Sequence, residues 1–168
     1  MPDTIKALSI LQPWPFAIFH MMKTCENRSW FTSYRGPLLI HAGQSTRLLE
    51  SGCAQIGRIL GTTPEFVRKF NFRPDSYGAF QGVVDLTGCD YVEAMRAAHE
   101  RQAAEYASQR RMTIVLADQW AEGPYCWWLA NPRLLPAPVP YKGRLGLFDV
   151  PVADVPGLAE LLAVSPSP

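Results

Sequence analysis

The sequence predicts an α+β fold built on a mixed or antiparallel β-barrel that is decorated with helices. Several short apolar or alternating segments are typical of strands, and they follow one another at irregular spacing with few helices between them. This arrangement does not favour a doubly wound parallel sheet. The chain also contains no GxGxxG fingerprint, P-loop, GxSxG elbow or HExxH motif, so the common nucleotide-fold, serine-hydrolase and zinc-protease classes have no support.

The N-terminal part is predicted to contain two strands separated by a short helix. Apolar and polar residues alternate loosely over 5–10, as in a half-buried strand. Pro13 and Pro15 then favour a turn and the first turn of a helix, and the apolar run 16–22 predicts that helix. Alternation returns over 25–31 and predicts the second strand.

The middle of the chain is predicted to contain buried strands and helices of different lengths. The apolar run 38–42 follows turn residues and predicts a central strand. A Ser or Thr cap precedes an amphipathic helix over 46–60, and another precedes a helix of about two turns over 63–70. A further strand is predicted over 78–86, and the Ala-rich segment 90–111 predicts a helix with a thin apolar face.

The C-terminal part is predicted to be largely extended. A β-like run at 113–116 precedes the aromatic segment 125–129, whose composition is typical of a strand. Four prolines in the nine residues 132–140 preclude a helix and predict an extended, stiff link. A last strand over 143–148, a helix over 156–164 and a frayed tail at 165–168 complete the prediction.

Composition restricts the possible functions. The length of 168 residues, with 48% hydrophobic and 18% charged residues, predicts a single globular domain over 1–168. The formal charge of +1 excludes a global positive field, so any binding of nucleic acid must use a local patch. The four cysteines form no CxxC pair, and we predict neither a metal nor another cofactor. No signal peptide or membrane span is recognisable, so we expect a cytoplasmic protein without a membrane partner.

Polar and aromatic side chains are most concentrated between positions 12 and 41, and we place the candidate site there. If residues 25–31 are extended, Glu26, Arg28 and Trp30 share one face. Arginine can pair with phosphate, an indole can stack on a base, and Asn or Gln can bond to a base edge. The predicted ligand-binding residues are Gln12, Trp14, Lys23, Glu26, Asn27, Arg28, Trp30, Arg35, His41 and Trp127.

Several motifs occur in an order that resembles the ASCH domain family, which has a PUA-like β-barrel. They are ILQPW (10–14), KTCENRSW (23–30), YRGPLLIHA (34–42), GVVDL (82–86), GPYCW (123–127) and KGRLGLF (142–148). The spacing Lys-x-x-Glu-x-Arg at Lys23, Glu26 and Arg28 is the most specific of them. The chain departs from the family at Met21, where many members have glycine, and its segments 44–73 and 90–119 resemble variable helical insertions.

The resemblance implies that single-stranded RNA or a modified nucleotide binds in a cleft of the barrel. A first alternative is a small hydrolase of N4-acetylcytidine, since some similar proteins use a Lys with a Thr nucleophile three residues later. Here position 26 is Glu and Thr24 directly follows the Lys, so no nucleophile is carried over. In that alternative Lys23 is the base or proton shuttle, and Glu26 orients it or activates water.

Two further alternatives remain open. A metal-independent ribonuclease would use Lys23, Arg28 and His41, whereas an adaptor would dock a protein partner through the helical insertions. Simple structural roles are also possible. Glu26 and Arg28 could form an ion pair that holds a strand in place, His41 could be a hydrogen-bonded core residue, and at least one of the adjacent residues Trp127 and Trp128 should be buried.

Overall fold

The computed structural model describes residues 2–69, 76–105 and 119–163. Within these ranges the strands are β1 (Thr4–Ile10), β2 (Cys25–Arg28), β3 (Gly36–Ala42), β4 (Ala79–Tyr91), β5 (Tyr125–Pro140) and β6 (Leu147–Pro151). The helices are α1 (Trp14–His20), α2 (Leu49–Leu60), α3 (Pro64–Arg68), α4 (Val92–Glu105) and α5 (Leu158–Ala163), and a short 3-10 turn spans Val152–Asp154. The α+β class is therefore confirmed.

The strands form one six-stranded sheet in the order β2-β5-β4-β3-β1-β6. Strands β1 and β3 are parallel, and the other neighbours are antiparallel. The sheet is therefore mixed, which is one of the two arrangements predicted from the sequence. Strands β2 and β6 are its edges, and no backbone ladder between described residues joins them, so a closed barrel is not confirmed.

The proline-rich segment is extended, as predicted, but it is a part of β5 rather than a link. Strand β2 pairs only with residues 125–128 of β5, and the rest of β5 pairs with β4 alone within the described chain. Proline has no N–H and is tolerated on such a free strand edge. The register shifts three times along the β4–β5 ladder, which interrupts its regular bonding.

Three clusters of buried side chains form the core. Successive side chains of β3 point to opposite faces of the sheet and so belong to two different clusters. Leu39 is in the cluster that contains Phe80. Leu38 and Ile40 are in the cluster that contains Trp127. The third cluster joins α2 and α3 to the sheet. It includes Ala17, Cys25, Cys53, Ile56, Val67, Trp120 and Cys126. The described part of the predicted insertion, residues 44–69, thus packs on the sheet beside β2.

Several predicted boundaries need correction. The strand over 25–31 ends at Arg28, and residues 29–30 form a bend, so Trp30 does not continue the Glu26–Arg28 face. The last strand begins at Leu147 instead of 143. The run at 113–116 and the tail at 165–168 lie outside the described residues, as do parts of both insertions. No helix among the described residues is long and apolar enough to cross a membrane.

Candidate ligand-binding cleft

The turn between α1 and β2 places Lys23. The backbone N–H of Lys23 donates to the carbonyl of Ala17 at 3.1 Å, and Met22 adopts the left-handed conformation with φ 55°. This bond joins residues six positions apart, one position more than the 6→1 bond of a Schellman motif, and Met22 supplies the left-handed residue of the turn, where glycine is usual. Met21 itself has φ −126°, so the family departure at position 21 does not fall on the strained residue.

Lys23 is buried, with only 3% of its surface exposed. Its ammonium donates to the carbonyl oxygen of Cys25 and to Oε2 of Glu26, at 3.4 Å from the latter. It also lies 5.6 Å from the centre of the Trp14 ring. The positive charge is therefore satisfied by a carboxylate, a carbonyl and an aromatic face, which makes its burial tolerable.

Glu26 connects Lys23 to Arg28. The second carboxylate oxygen of Glu26, Oε1, lies 3.5 Å from Nε of Arg28, and the Glu26 side chain is 8% exposed. Arg28 also donates from Nη2 to the carbonyl oxygen of Ser9 at 2.7 Å. Its side chain is 24% exposed, so part of the guanidinium remains accessible. The Lys-x-x-Glu-x-Arg spacing thus produces one continuous row of alternating charges.

This row lies in a cleft of about 410 Å³. The cleft is lined by Trp14, Lys23, Glu26, Asn27, Arg28, Ser29, Leu48, Ser51, Gln55, Glu122, Gly123 and Pro124. Its walls come from the α1–β2 region, from the face of α2, and from the segment before β5. The two cations Lys23 and Arg28 are matched by the two carboxylates Glu26 and Glu122, so the lining has no net formal charge.

Asn27 fixes one of these walls. Its Nδ2 donates to the carbonyl oxygen of Trp120 at 2.8 Å, and its Oδ1 accepts from the backbone N–H of Glu122 at 2.8 Å. Both ends of the amide are therefore bonded to the segment that leads to Gly123 and Pro124. Asn27 lines the cleft, but these bonds make it an anchor of the wall instead of a free reader of a base.

Gln12 and His41 lie outside the cleft lining. Gln12 is buried, donates to the carbonyl of Ser76 at 3.2 Å and accepts from the N–H of Phe16 at 3.3 Å, at the start of α1. His41 is 2% exposed, and its Nδ1 and Nε2 lie 3.1 Å from Ser9 Oγ and 2.9 Å from the Tyr141 carbonyl oxygen. Burial lowers the pKa of His41 below its ordinary value, against the opposing effect of backbone hydrogen bonds.

Three further candidates also lie outside the cleft lining: Trp30, Arg35 and Trp127. Trp127 is fully buried, pairs across the ladder with Glu26, and donates from its indole to the carbonyl of Trp30 at 3.2 Å. The two indoles meet edge to face at 4.6 Å. Arg35 is exposed and donates only to the nearby carbonyls of Thr32 and Tyr34. Five of the ten candidates thus line the cleft: Trp14, Lys23, Glu26, Asn27 and Arg28.

Other lining residues were not selected from the sequence. Those of α2 and the segment 122–124 are distant along the chain from the Lys-x-x-Glu-x-Arg motif. The one sequence signal for the helix wall is the four-residue separation of Ser51 and Gln55, which places two polar residues on one helix face. Within the described ranges, no group of three His, Cys, Asp or Glu side chains could hold a metal ion.

The comparison with known protein families agrees with this geometry. The sequence model of the ASCH domain matches residues 8–137, which include the whole charged row and all lining residues of the cleft. A comparison with curated proteins gives no significant match. Because the family match extends over more than half of its length, the chain belongs to the ASCH domain family.

Proposed function

We propose that this protein binds one nucleotide unit of single-stranded RNA, or a free modified nucleotide, in the cleft beside Trp14. The observation that carries the proposal is the combination of an indole with the Lys23–Glu26–Arg28 row in a cavity of about 410 Å³. Small-molecule sites usually measure about 300–1,000 Å³, so the space suits one nucleotide and not a folded duplex. Family membership supports the same ligand class.

Each part of the cleft has a chemical counterpart in a nucleotide. The indole of Trp14 offers a flat surface on which a base can stack. The Glu26 carboxylate, held between two cations, accepts hydrogen bonds from base amino or imino groups. Arg28 uses one donor on the Ser9 carbonyl, and its remaining accessible donors suit a phosphate or carbonyl oxygen.

The balanced charge of the lining predicts weak electrostatic steering. Since Lys23 is largely satisfied by Glu26 and Cys25, few phosphate contacts are available. We therefore expect affinity to depend on stacking and base contacts, and to fall only slightly as salt rises. Single strands should bind in preference to duplexes of the same sequence, because a base must leave its stack to enter the cleft.

Fluorescence anisotropy of labelled RNA pentamers, single-stranded and duplex, tests the proposal. Trp14→Leu should weaken binding by about tenfold, as expected when one stacked base loses its aromatic partner. Phe31→Leu is the matched control, since Phe31 is 55% exposed and does not line the cleft. Equal affinity in wild type and Trp14→Leu, or a preference for duplex, would overturn the proposal.

A hydrolase of an N-acylated base is the second candidate, and the buried contact between Lys23 and Glu26 favours it. In this reaction Glu26 takes a proton from water as the oxygen attacks the acyl carbonyl. The carbon–nitrogen bond then breaks, and the Lys23 ammonium gives a proton to the leaving nitrogen. Transfer of the proton from Glu26 to Lys23 restores both groups, and the products are a carboxylic acid and the free amine.

Water is the nucleophile in this scheme because Thr24 is exposed and does not line the cleft. Mass spectrometry of a short RNA with one N4-acetylcytidine separates the candidates, since loss of the acetyl group and strand cleavage give different masses. The hydrolase predicts deacetylation by wild type and by the control Lys142→Ala, but not by Lys23→Ala or Glu26→Gln. Unchanged RNA in all four reactions would leave the binding module as the function.

A further inference from the structure

The helix α2 forms one wall of the cleft. Leu48 at its N-terminal cap, Ser51 and Gln55 all line the cavity, and their separations of three and four residues place them on one helix face. This helix belongs to the segment 44–73 that the sequence marks as an insertion in the family pattern. The predicted insertion thus contributes directly to the cleft.

Gln55 is the one cleft-lining amide that is not already bonded. Its side chain is half-buried and makes no hydrogen bond within the described part of the chain. The amides of Gln12 and Asn27, which the sequence favours as base readers, are both occupied by backbone groups. Of the amides in the described lining, only Gln55 therefore presents a free donor and a free acceptor to the cavity.

The opposite face of α2 holds Gln55 in position. Cys53 and Ile56 are fully buried in the cluster that joins the helix to the sheet. Glu50 on the same helix pairs with Arg68 of α3 at 2.5 Å. A side chain on a firmly packed helix needs little ordering on binding, so its hydrogen bonds contribute more to selectivity than those of a mobile loop residue.

We propose that Gln55 determines which base the cleft accepts, by hydrogen bonding to the edge of the base that stacks on Trp14. An amide offers one donor and one acceptor side by side, which matches adjacent groups on a base edge. Glu26 lines the cleft as well and, as an ionised carboxylate, can only accept. Of these two side chains, only Gln55 can therefore recognise a donor and an acceptor together on one base edge. This inference rests on the proposed nucleotide-binding function.

The test uses short RNA strands in which one position carries A, C, G, U or N4-acetylcytidine and the flanking positions are abasic. Dissociation constants are measured for wild type, Gln55→Met and Gln55→Ala. Methionine keeps the length and the helix propensity of glutamine but cannot form the hydrogen bonds. Gln44→Met is the matched control, because Gln44 is exposed and lies outside the lining.

Wild type should prefer one base, and the ratio between the best and the worst base should fall about tenfold in both Gln55 variants. The Gln44→Met protein should keep the wild-type ratio. An unchanged ratio in Gln55→Met and Gln55→Ala, with wild-type preference intact, overturns the role of Gln55 and leaves the proposed function standing. Failure of wild type to bind any of the five strands overturns both.

Discussion

The guanidinium of Arg28 donates to the carbonyl oxygen of Ser9 at 2.7 Å, although their strands β2 and β1 are four places apart in the sheet order. The sheet must therefore curl so that its first and fifth strands approach each other. The backbone ladders do not close this gap between described residues, and a side chain spans it. Because the same guanidinium faces Glu26, one residue takes part both in the contact across the curled sheet and in the charge arrangement of the cleft.

Arg28→Lys tests this double role while keeping the charge. Lysine has no planar fork and cannot reach Ser9 and Glu26 together, so we expect the free energy of unfolding to fall by about 1.5–3 kcal/mol. Urea denaturation measures the change. Arg35→Lys is the control, because Arg35 is exposed and bonds only to neighbouring carbonyls, and it should change stability by less than about 0.5 kcal/mol. Equal losses in the two variants would contradict the bridging role.

The charged row was predictable because its members are close in sequence. Lys23, Glu26 and Arg28 span six positions of a turn and a strand, and local geometry alone brings them together. The irregularly spaced short strands also indicated the α+β class and a mixed or antiparallel sheet. The predicted barrel implied a curled sheet, but the residues that meet across it, Arg28 and Ser9, were not predictable, because their strands are paired with other strands and not with each other.

Other candidate ligand-binding residues were chosen because they are near the motif in sequence, but they do not line the cleft. Gln12 and His41 flank the same motif, yet their side chains are bonded inside the core and outside the cleft lining. Whether a polar residue faces a cleft or satisfies a buried backbone group depends on its tertiary neighbours, which periodicity does not reveal. For the same reason Gln55 gave little sequence signal. It reaches the cleft only because α2 packs on the sheet through its buried face.

Gly52 controls how closely α2 approaches the cleft. A Cβ atom at this position would lie 2.5 Å from Cδ of Pro13 and 3.4 Å from Cζ2 of Trp14. Helix propensity alone favours Gly52→Ala by about 1 kcal/mol, but overpacking costs about 1–3 kcal/mol. We therefore expect net destabilisation and weaker ligand binding, because the helix must move away from Trp14.

Thermal denaturation and RNA titration of Gly52→Ala measure both effects. Ser51→Ala is the neighbouring control for the stability measurement only, since Ser51 is exposed but lines the cleft, and alanine has the higher helix propensity. That variant should be as stable as wild type or slightly more stable. If Gly52→Ala were also stabilised, the close approach of α2 to Pro13 would not be a constraint on packing.

The burial of His41 predicts a pH dependence of stability. Burial lowers the pKa of His41 below its ordinary value of 6.5, while hydrogen bonds to backbone groups oppose this effect. The unfolded chain therefore takes up the proton more readily than the folded protein, and the free energy of unfolding should decrease as pH falls below about 6.5. Above that pH the neutral ring contributes its full stabilisation.

Urea unfolding between pH 5 and pH 8 measures this dependence in wild type and in His41→Gln. The variant should be less stable at every pH, yet its stability should change less between pH 6.5 and pH 5. His20→Gln is the matched variant, because His20 is exposed and should account for a smaller part of the slope. An NMR titration midpoint for His41 at or above 6.5 would contradict the assignment.

Met22 is the position where a glycine should stabilise the protein. It has φ 55°, a conformation that costs a residue with a Cβ about 1 kcal/mol, and its side chain is 73% exposed and loses little burial when removed. Met22→Gly should therefore raise the free energy of unfolding by about 0.5–1 kcal/mol in urea denaturation.

Met21→Gly is the control, and it should change the free energy of unfolding in the opposite direction. Met21 has φ −126° and packs against the cluster that joins α2 to the sheet, so its replacement should destabilise the protein, although the family resemblance leads to the expectation of glycine there. If Met21→Gly were the stabilised variant, the left-handed residue of the turn would be Met21, and the placement of Lys23 by the left-handed Met22 would be wrong.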